Sequence, residues 1–146
     1  MDLAEMRHRV GVAPVARLAT VDRRGRPHLV PLCLALARDV LYSAIDQKPK
    51  ASSRLKRLDN IRAHPQATLL VDHYEDDWSR LWWVRVDGTA RVLEQGPQWE
   101  RGVQHLRAKY EQYRAHPPEG PVIVLSPERW TGWAAEEAAT QREARG

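Results

Sequence analysis

The period of apolar positions changes several times along the chain, and each change predicts an element. Leu3, Met6 and Val10 form a short helical stripe behind Asp2-Leu3-Ala4-Glu5, which has the spacing of a capping box, and Gly11 and Pro14 end it. Val15 to Val21 and His28 to Leu36 have the pattern of strands. The tight Asp22-Arg23-Arg24-Gly25-Arg26-Pro27 connection joins them, with Gly25 free to take a positive φ. Pro31 brings no amide to a ladder, so its strand belongs at an edge or a bulge. A third strand, Val40 to Ile45, would complete an antiparallel meander.

From Lys50 to His64 the period becomes helical, with Ala51, Leu55, Leu58 and Ile61 on one face and Pro65 as the stop. Ala67 to His73 is a strand, and Tyr74-Glu75-Asp76-Asp77-Trp78-Ser79 is a polar loop. In Leu81 to Leu93, Trp82, Val84, Val86, Gly88, Ala90 and Val92 alternate with Trp83, Arg85, Asp87, Thr89 and Arg91, which predicts a long strand bent at Gly88. Pro97 opens a helix whose seam is Trp99, Val103, Leu106, Tyr110 and Tyr113. Val122 to Leu125 and Trp130 to Ala134 read as a last strand pair, and 136–146 as a polar, mobile tail. Six or seven strands with short connections and no βαβ repeat predict a mainly β fold. It is one antiparallel barrel with helical flaps over residues 1–135.

Composition narrows the function classes. The 146 residues suit a single domain, and no apolar run approaches the roughly 20 residues a membrane span needs. The start of the chain lacks the layout of a signal peptide, and a cytoplasmic location is expected. One cysteine, Cys33, excludes an intrachain disulfide, and its place between Leu32 and Leu34 reads as a buried core thiol. The six His are scattered, with no pair at metal-ligand spacing, so no metal is expected. Nucleotide-loop, metalloprotease and hydrolase-elbow motifs are missing.

Charge is more informative. The net charge of +4 suits an anionic partner, yet the abundant arginine is what GC-rich codons produce. Lysine is rare, and three of its four occurrences (Lys48, Lys50, Lys56) fall within nine residues, beside Arg54, Arg57 and Arg62 at a predicted helix start. Such a cluster suits a phosphate or, equally, a basic face kept for solubility. Trp82 belongs to the apolar face of its strand. Trp83 needs another partner such as a second subunit, Trp78 sits in an acidic loop where it could cover a planar ligand, and Trp133 is ambiguous.

Several short motifs together resemble the pyridoxamine 5′-phosphate oxidase-like split β-barrels. They are Ala19-Thr20-Val21-Asp22, Gly25-Arg26-Pro27-His28 and Val30-Pro31, then Leu41-Tyr42-Ser43-Ala44 with Lys48 and Lys50, and Val84-Arg85-Val86-Asp87-Gly88-Thr89-Ala90. The Asp76-Asp77-Trp78 loop and the Trp82-Trp83 pair look most like the branch that uses coenzyme F420, a deazaflavin. The resemblance implies a homodimeric FMN-binding-type split barrel with cofactor grooves between the barrels, and a small-molecule hydride acceptor. Neither nucleic acid nor membrane is an expected partner.

By the same resemblance Lys48 and Lys50 would take the cofactor phosphate, with Arg54 and Arg57 supporting its anionic tail. Tyr42, Ser43 and the Val30-Pro31 backbone would line the ring pocket, with Trp78 and Trp133 as covers. No residue is assigned a catalytic role, since the hydride chemistry would be the cofactor's. The chain closes Trp130-Thr131-Gly132-Trp133 without the Arg/His substrate signature of the true oxidases, which argues against vitamin B6 oxidation. The alternatives are an FMN-dependent oxidoreductase, or a flavin or haem carrier with His28 or His73 as the axial ligand.

Overall fold

The computed structural model describes residues 1–45 and 52–146, with side chains in the helix beginning at Ser52 described from Lys56 onward. In chain order the elements are α1 (Leu3–Val12), β1 (Ala16–Val21), β2 (Pro27–Leu32), β3 (Ala35–Ala37), β4 (Val40–Ala44), α2 (Ser52–Ala63) and β5 (Gln66–His73). After a 3-10 turn (Trp78–Arg80) come β6 (Trp82–Leu93), α3 (Pro97–Lys109), α4 (Glu111–Ala115), β7 (Val122–Ala134) and α5 (Ala135–Arg145). Among the described residues no helix is long and apolar enough to cross a membrane.

The seven strands form one antiparallel sheet in the order β2-β1-β5-β6-β7-β4-β3. Its two edge strands, β2 and β3, are consecutive in sequence and joined only by Cys33 and Leu34. Three residue steps reach at most about 11 Å, so the sheet must curl until its edges nearly meet. The result is a barrel split along one seam, as the resemblance implied. The expected meander is corrected here. β2 pairs with β1 and β3 with β4, but β2 and β3 do not pair, because the chain crosses the seam between them. Pro31 accordingly stands on an edge strand.

Two further expectations change. The supposed last strand pair is one strand, β7, which runs beside the whole of β6. Its Ser126-Pro127-Glu128 interruption is absorbed by a register shift at Asp87/Gly88, where Pro127 faces Gly88 and Arg129 faces Asp87. A Cβ on Gly88 would lie 2.2 Å from the Ser126 carbonyl oxygen, so the bend needs glycine at that position. The polar end forms α5, and its first amide, at Ala135, donates to the Leu81 carbonyl at 2.9 Å. No α5 residue is buried, which is why its sequence reads as a tail.

Two apolar clusters hold this arrangement. The barrel interior contains Val10 of α1, Leu18, Leu34, Val84, Val86 and Leu125. A second cluster lies between α3 and the outer side of β4 and β7, built from Tyr42, Ala44, Val103, Leu106, Val122 and Val124. The apolar stretch Val122 to Leu125 thus alternates between two cores, which makes it continuous rather than alternating. The α3 seam packs on its own barrel.

Candidate functional site

The seam is closed by side chains from the end of α3 instead of a strand ladder. Lys109 Nζ donates to the carbonyls of Ala13 at 2.6 Å and Leu34 at 2.8 Å. The Tyr110 hydroxyl donates to the Pro14 carbonyl at 2.8 Å and accepts from the Leu34 amide at 3.1 Å. Both main-chain groups of Leu34, left without a sheet partner where the strands part, are therefore satisfied. Burial pushes the Lys109 ammonium down to about 8, opposed by the nearby Cys33 sulfur. Burial pushes the Tyr110 phenol up to about 12, so it stays protonated at neutral pH.

Beside these pins lies a cavity of about 720 Å³, lined by Pro31, Cys33, Ala44, Ile45, Arg57 and Tyr110 among others. Cys33 is not the buried core thiol expected of a mid-strand position. It sits in the β2–β3 link, partly exposed, on the cavity wall. His28, on β2, is held below the ordinary imidazole range first by burial and then by the positive charges of Lys56 and Arg57. Among the described residues no three His, Cys, Asp or Glu side chains gather as a metal site would need.

A second concavity of about 710 Å³ lies on the outer face of the sheet. Its geometry follows from register, since directly paired residues share a face. One row across the strands reads Pro31, Arg17, Leu70, Arg85, Thr131, and the next reads Asp72, Trp83, Trp133. Leu29 and Leu81 complete its apolar walls. Arg17 pairs with Asp72 at 2.9 Å.

The structure separates the residues that the sequence grouped. Pro31 and Arg57 line the seam cavity, whereas Val30 turns into the barrel. Tyr42 and Ser43, neighbours on β4, necessarily face opposite sides. Tyr42 is buried under α3 and stacks on His105, so close that a Cβ on Gly102 would stand 2.6 Å from its ring. Ser43 is buried too, its Oγ without a hydrogen-bond partner among the described residues. Trp133 lines the outer groove, and Trp78 projects from the 3-10 turn with 71% of its surface exposed. Asp77 caps that turn by accepting from the Ser79 amide at 3.1 Å and hydroxyl at 2.6 Å, which gives the acidic loop a local structural role. Lys48 and Lys50 lie outside the described residues, and Arg54 is placed in α2 by its backbone alone. Sequence reasoning missed Tyr110 and Lys109 as parts of the site. The only signal was Tyr110's place in the α3 seam.

The family model described as pyridoxamine 5′-phosphate oxidase matches residues 3–134. No curated protein matches the chain significantly. Among solved structures the fold is similar to the conserved hypothetical protein Rv2991 from Mycobacterium tuberculosis, with a TM-score of 0.77 at 19% identity, covering 95% of this chain and 88% of that one. It is also similar to an FAD-binding protein from Mesorhizobium loti (TM-score 0.69, 21% identity, 90% and 94% covered). A third similar structure is the haem storage protein HutZ from Vibrio cholerae (TM-score 0.68, 16% identity, 90% and 91% covered). At these identities the structural likeness speaks for the fold alone.

Proposed function

The chain belongs to the pyridoxamine 5′-phosphate oxidase family, and from that premise we propose that it holds a flavin-type cofactor in the seam cavity and acts as a coenzyme F420-dependent oxidoreductase on a small organic acceptor. The observation that carries this reading is the cavity itself. Its volume of about 720 Å³ is of cofactor size, Pro31, Ala44 and Ile45 give it apolar walls, and Arg57 brings a guanidinium to it. The Arg57 guanidinium on the cavity wall favours an anionic group such as a phosphate at that end. The deazaflavin is favoured by the resemblance of the Asp76-Asp77-Trp78 loop and the Trp82-Trp83 pair to that branch.

When bound, such a cofactor supplies a hydride to an electron-poor acceptor. The chain's own part is binding and positioning. Arg57, with Lys48 and Lys50 from the adjoining segment, would take the phosphate, and the apolar walls would exclude water from the ring. Lys109 and Tyr110 keep the wall in place through Leu34. No side chain is required to donate a proton, and Tyr110, with its raised pKa, is unsuited to do so.

An FMN-dependent enzyme is the second reading, favoured by the family match. Haem binding fits less well. His73 Nε2 is engaged by the Glu75 carboxylate, and neither His73 nor His28 lines the seam cavity. Exposed Leu29 and Tyr74, at 66% and 76%, support a second copy packing on the rim of the outer groove, which would leave that groove between two barrels.

The test is Lys50→Ala, assayed for cofactor affinity and for unfolding free energy together. Loss of a charge-assisted contact should weaken binding roughly tenfold or more. Stability should move by less than about 0.5 kcal/mol, as for a surface change. Unchanged cofactor affinity would remove the phosphate assignment.

A further inference from the structure

The described part of the basic cluster is divided between two cavities. Arg57 lines the seam cavity, whereas Lys56, beside it on α2, lines a separate concavity of about 410 Å³ at the β1–β2 turn. Helix geometry separates the two. Lys56 and Asn60 stand one turn apart on the same face of α2. Asn60 Nδ2 donates to Thr20 Oγ1 at 3.1 Å, with both residues buried. Thr20 is near the end of β1, so this bond sets the Lys56 face of α2 beside the turn that follows.

The turn itself is equally fixed. The Asp22 carboxylate accepts from the amides of Arg24 and Arg26 and from Arg26 Nε, each at 2.9 Å. These bonds, the one from the Arg26 amide foremost, hold its pKa down to about 2, so its charge is committed within the turn. The turn carries Arg23 and Arg24, both exposed, to the concavity that Lys56 also lines. Among the described residues no hydrogen bond or ion pair holds these three side chains, and Asp59 is the one other carboxylate of the lining. Three cations gathered by a rigid turn and an anchored helix repel one another, and a bound anion relieves that repulsion.

We propose that the β1–β2 turn and α2 form an anion site, separate from the cofactor cavity, for an oligophosphate or a small molecule that ends in one. The lining selects that chemistry. Every described residue in it is polar or charged, with no ring or aliphatic wall to hold a base or a flat body, so the ligand is recognised by its charge. Guanidinium forks match phosphate oxygens in pairs, and the Lys56 ammonium adds a point charge. Several charges on one compact ligand answer the several cations of the site. The site stands on its own residues, whether or not the seam cavity holds a flavin.

The experiment is isothermal titration of the whole chain with tripolyphosphate, orthophosphate and citrate. Salt of about 0.15 M screens attraction between exposed charges more than about 8 Å apart. Tripolyphosphate should bind saturably and at least about tenfold more tightly than orthophosphate or citrate. Arg24→Ala and Lys56→Ala, both at exposed positions, should each weaken it about fivefold or more. Arg57→Ala, in the seam cavity, and Arg101→Ala, exposed on α3, should each change it by less than about twofold. A loss from Arg57→Ala equal to that from Lys56→Ala would put the ligand in the cofactor cavity and overturn the proposal. An equal loss from Arg101→Ala would reduce the site to diffuse attraction, and the absence of saturable binding would end it. Citrate bound as tightly as tripolyphosphate would overturn the choice of phosphate.

Discussion

The seam cavity and the outer groove are nearly equal in volume, about 720 and 710 Å³, and the polar groups beside them are held differently. At the seam, Lys109 and Tyr110 satisfy the amide and carbonyl of Leu34 and the carbonyls of Ala13 and Pro14, so the exposed edges of the sheet are tied by hydrogen bonds. On the outer sheet face beside the groove, the paired Arg85 and Thr131 have Nε and Oγ1 buried with no hydrogen bond among the described residues. Removing one member of a satisfied pair strands the other, whereas removing an orphan strands nothing. The Lys109 and Tyr110 contacts therefore belong to the stability of the fold, whereas the Thr131 hydroxyl adds little to it.

Substitutions should expose that difference, beginning with the largest effect. Lys109→Met keeps an apolar stem but leaves the Ala13 carbonyl without its donor and the Leu34 carbonyl with only the longer contact from Tyr110 at 3.2 Å. It should cost about 2–3 kcal/mol in chemical denaturation, against a contact that merely decorates the surface. Tyr110→Phe removes one acceptor and one donor at the same place and should cost about 1–2 kcal/mol. Thr131→Val deletes a buried hydroxyl with no partner and should be neutral or slightly stabilising, within about 1 kcal/mol. A loss from Thr131→Val as large as that from Tyr110→Phe would erase the distinction between the two regions.

A pH series sharpens the contrast further. The folded-state pKa of Lys109 is about 8, below the ordinary 10.5, so between those values the unfolded chain binds more protons than the folded one. Stability contributed through this group should accordingly rise as pH climbs from 8 toward 10. Above about 10 the raised Tyr110 pKa acts in the opposite sense, because the folded state then holds the extra proton. Urea midpoints measured from pH 7.5 to 9.5 should rise more in the natural protein than in Lys109→Met. Parallel profiles would mean that Lys109 does not titrate in a buried setting.

Much of the barrel was legible because period-2 alternation survives wherever one face is buried. β6 and β5 were read nearly to their ends, and the α3 seam was found from its spacing. What the pattern hid was closure. Cys33 and Leu34 look like mid-strand residues because both edges they join are apolar, and only the curl of the whole sheet turns them into a seam. Pro127 looked like a break in the last strand because the compensating glycine, Gly88, lies on another strand.

The site shows the same division. The cluster of lysines at 48–56 drew attention because lysine is rare in the chain, yet the fourth, Lys109, attracted none. Its acceptors lie 96 and 75 residues away, and no local spacing could bring them to notice. Tyr42 and Ser43 were assigned to one pocket although strand alternation alone sends adjacent side chains to opposite faces.

The most direct test of a flavin-type cofactor in the seam cavity is titration of the purified chain with coenzyme F420 and with FMN, followed by tryptophan fluorescence, in the natural protein and in Arg57→Ala. Saturable quenching by F420, weaker or missing with FMN and shifted at least about tenfold to higher concentration in Arg57→Ala, is the expected result. Quenching by FMN alone would replace the cofactor and keep the site. No saturable response to either, or affinities untouched by Arg57→Ala, would contradict the assignment of the cavity.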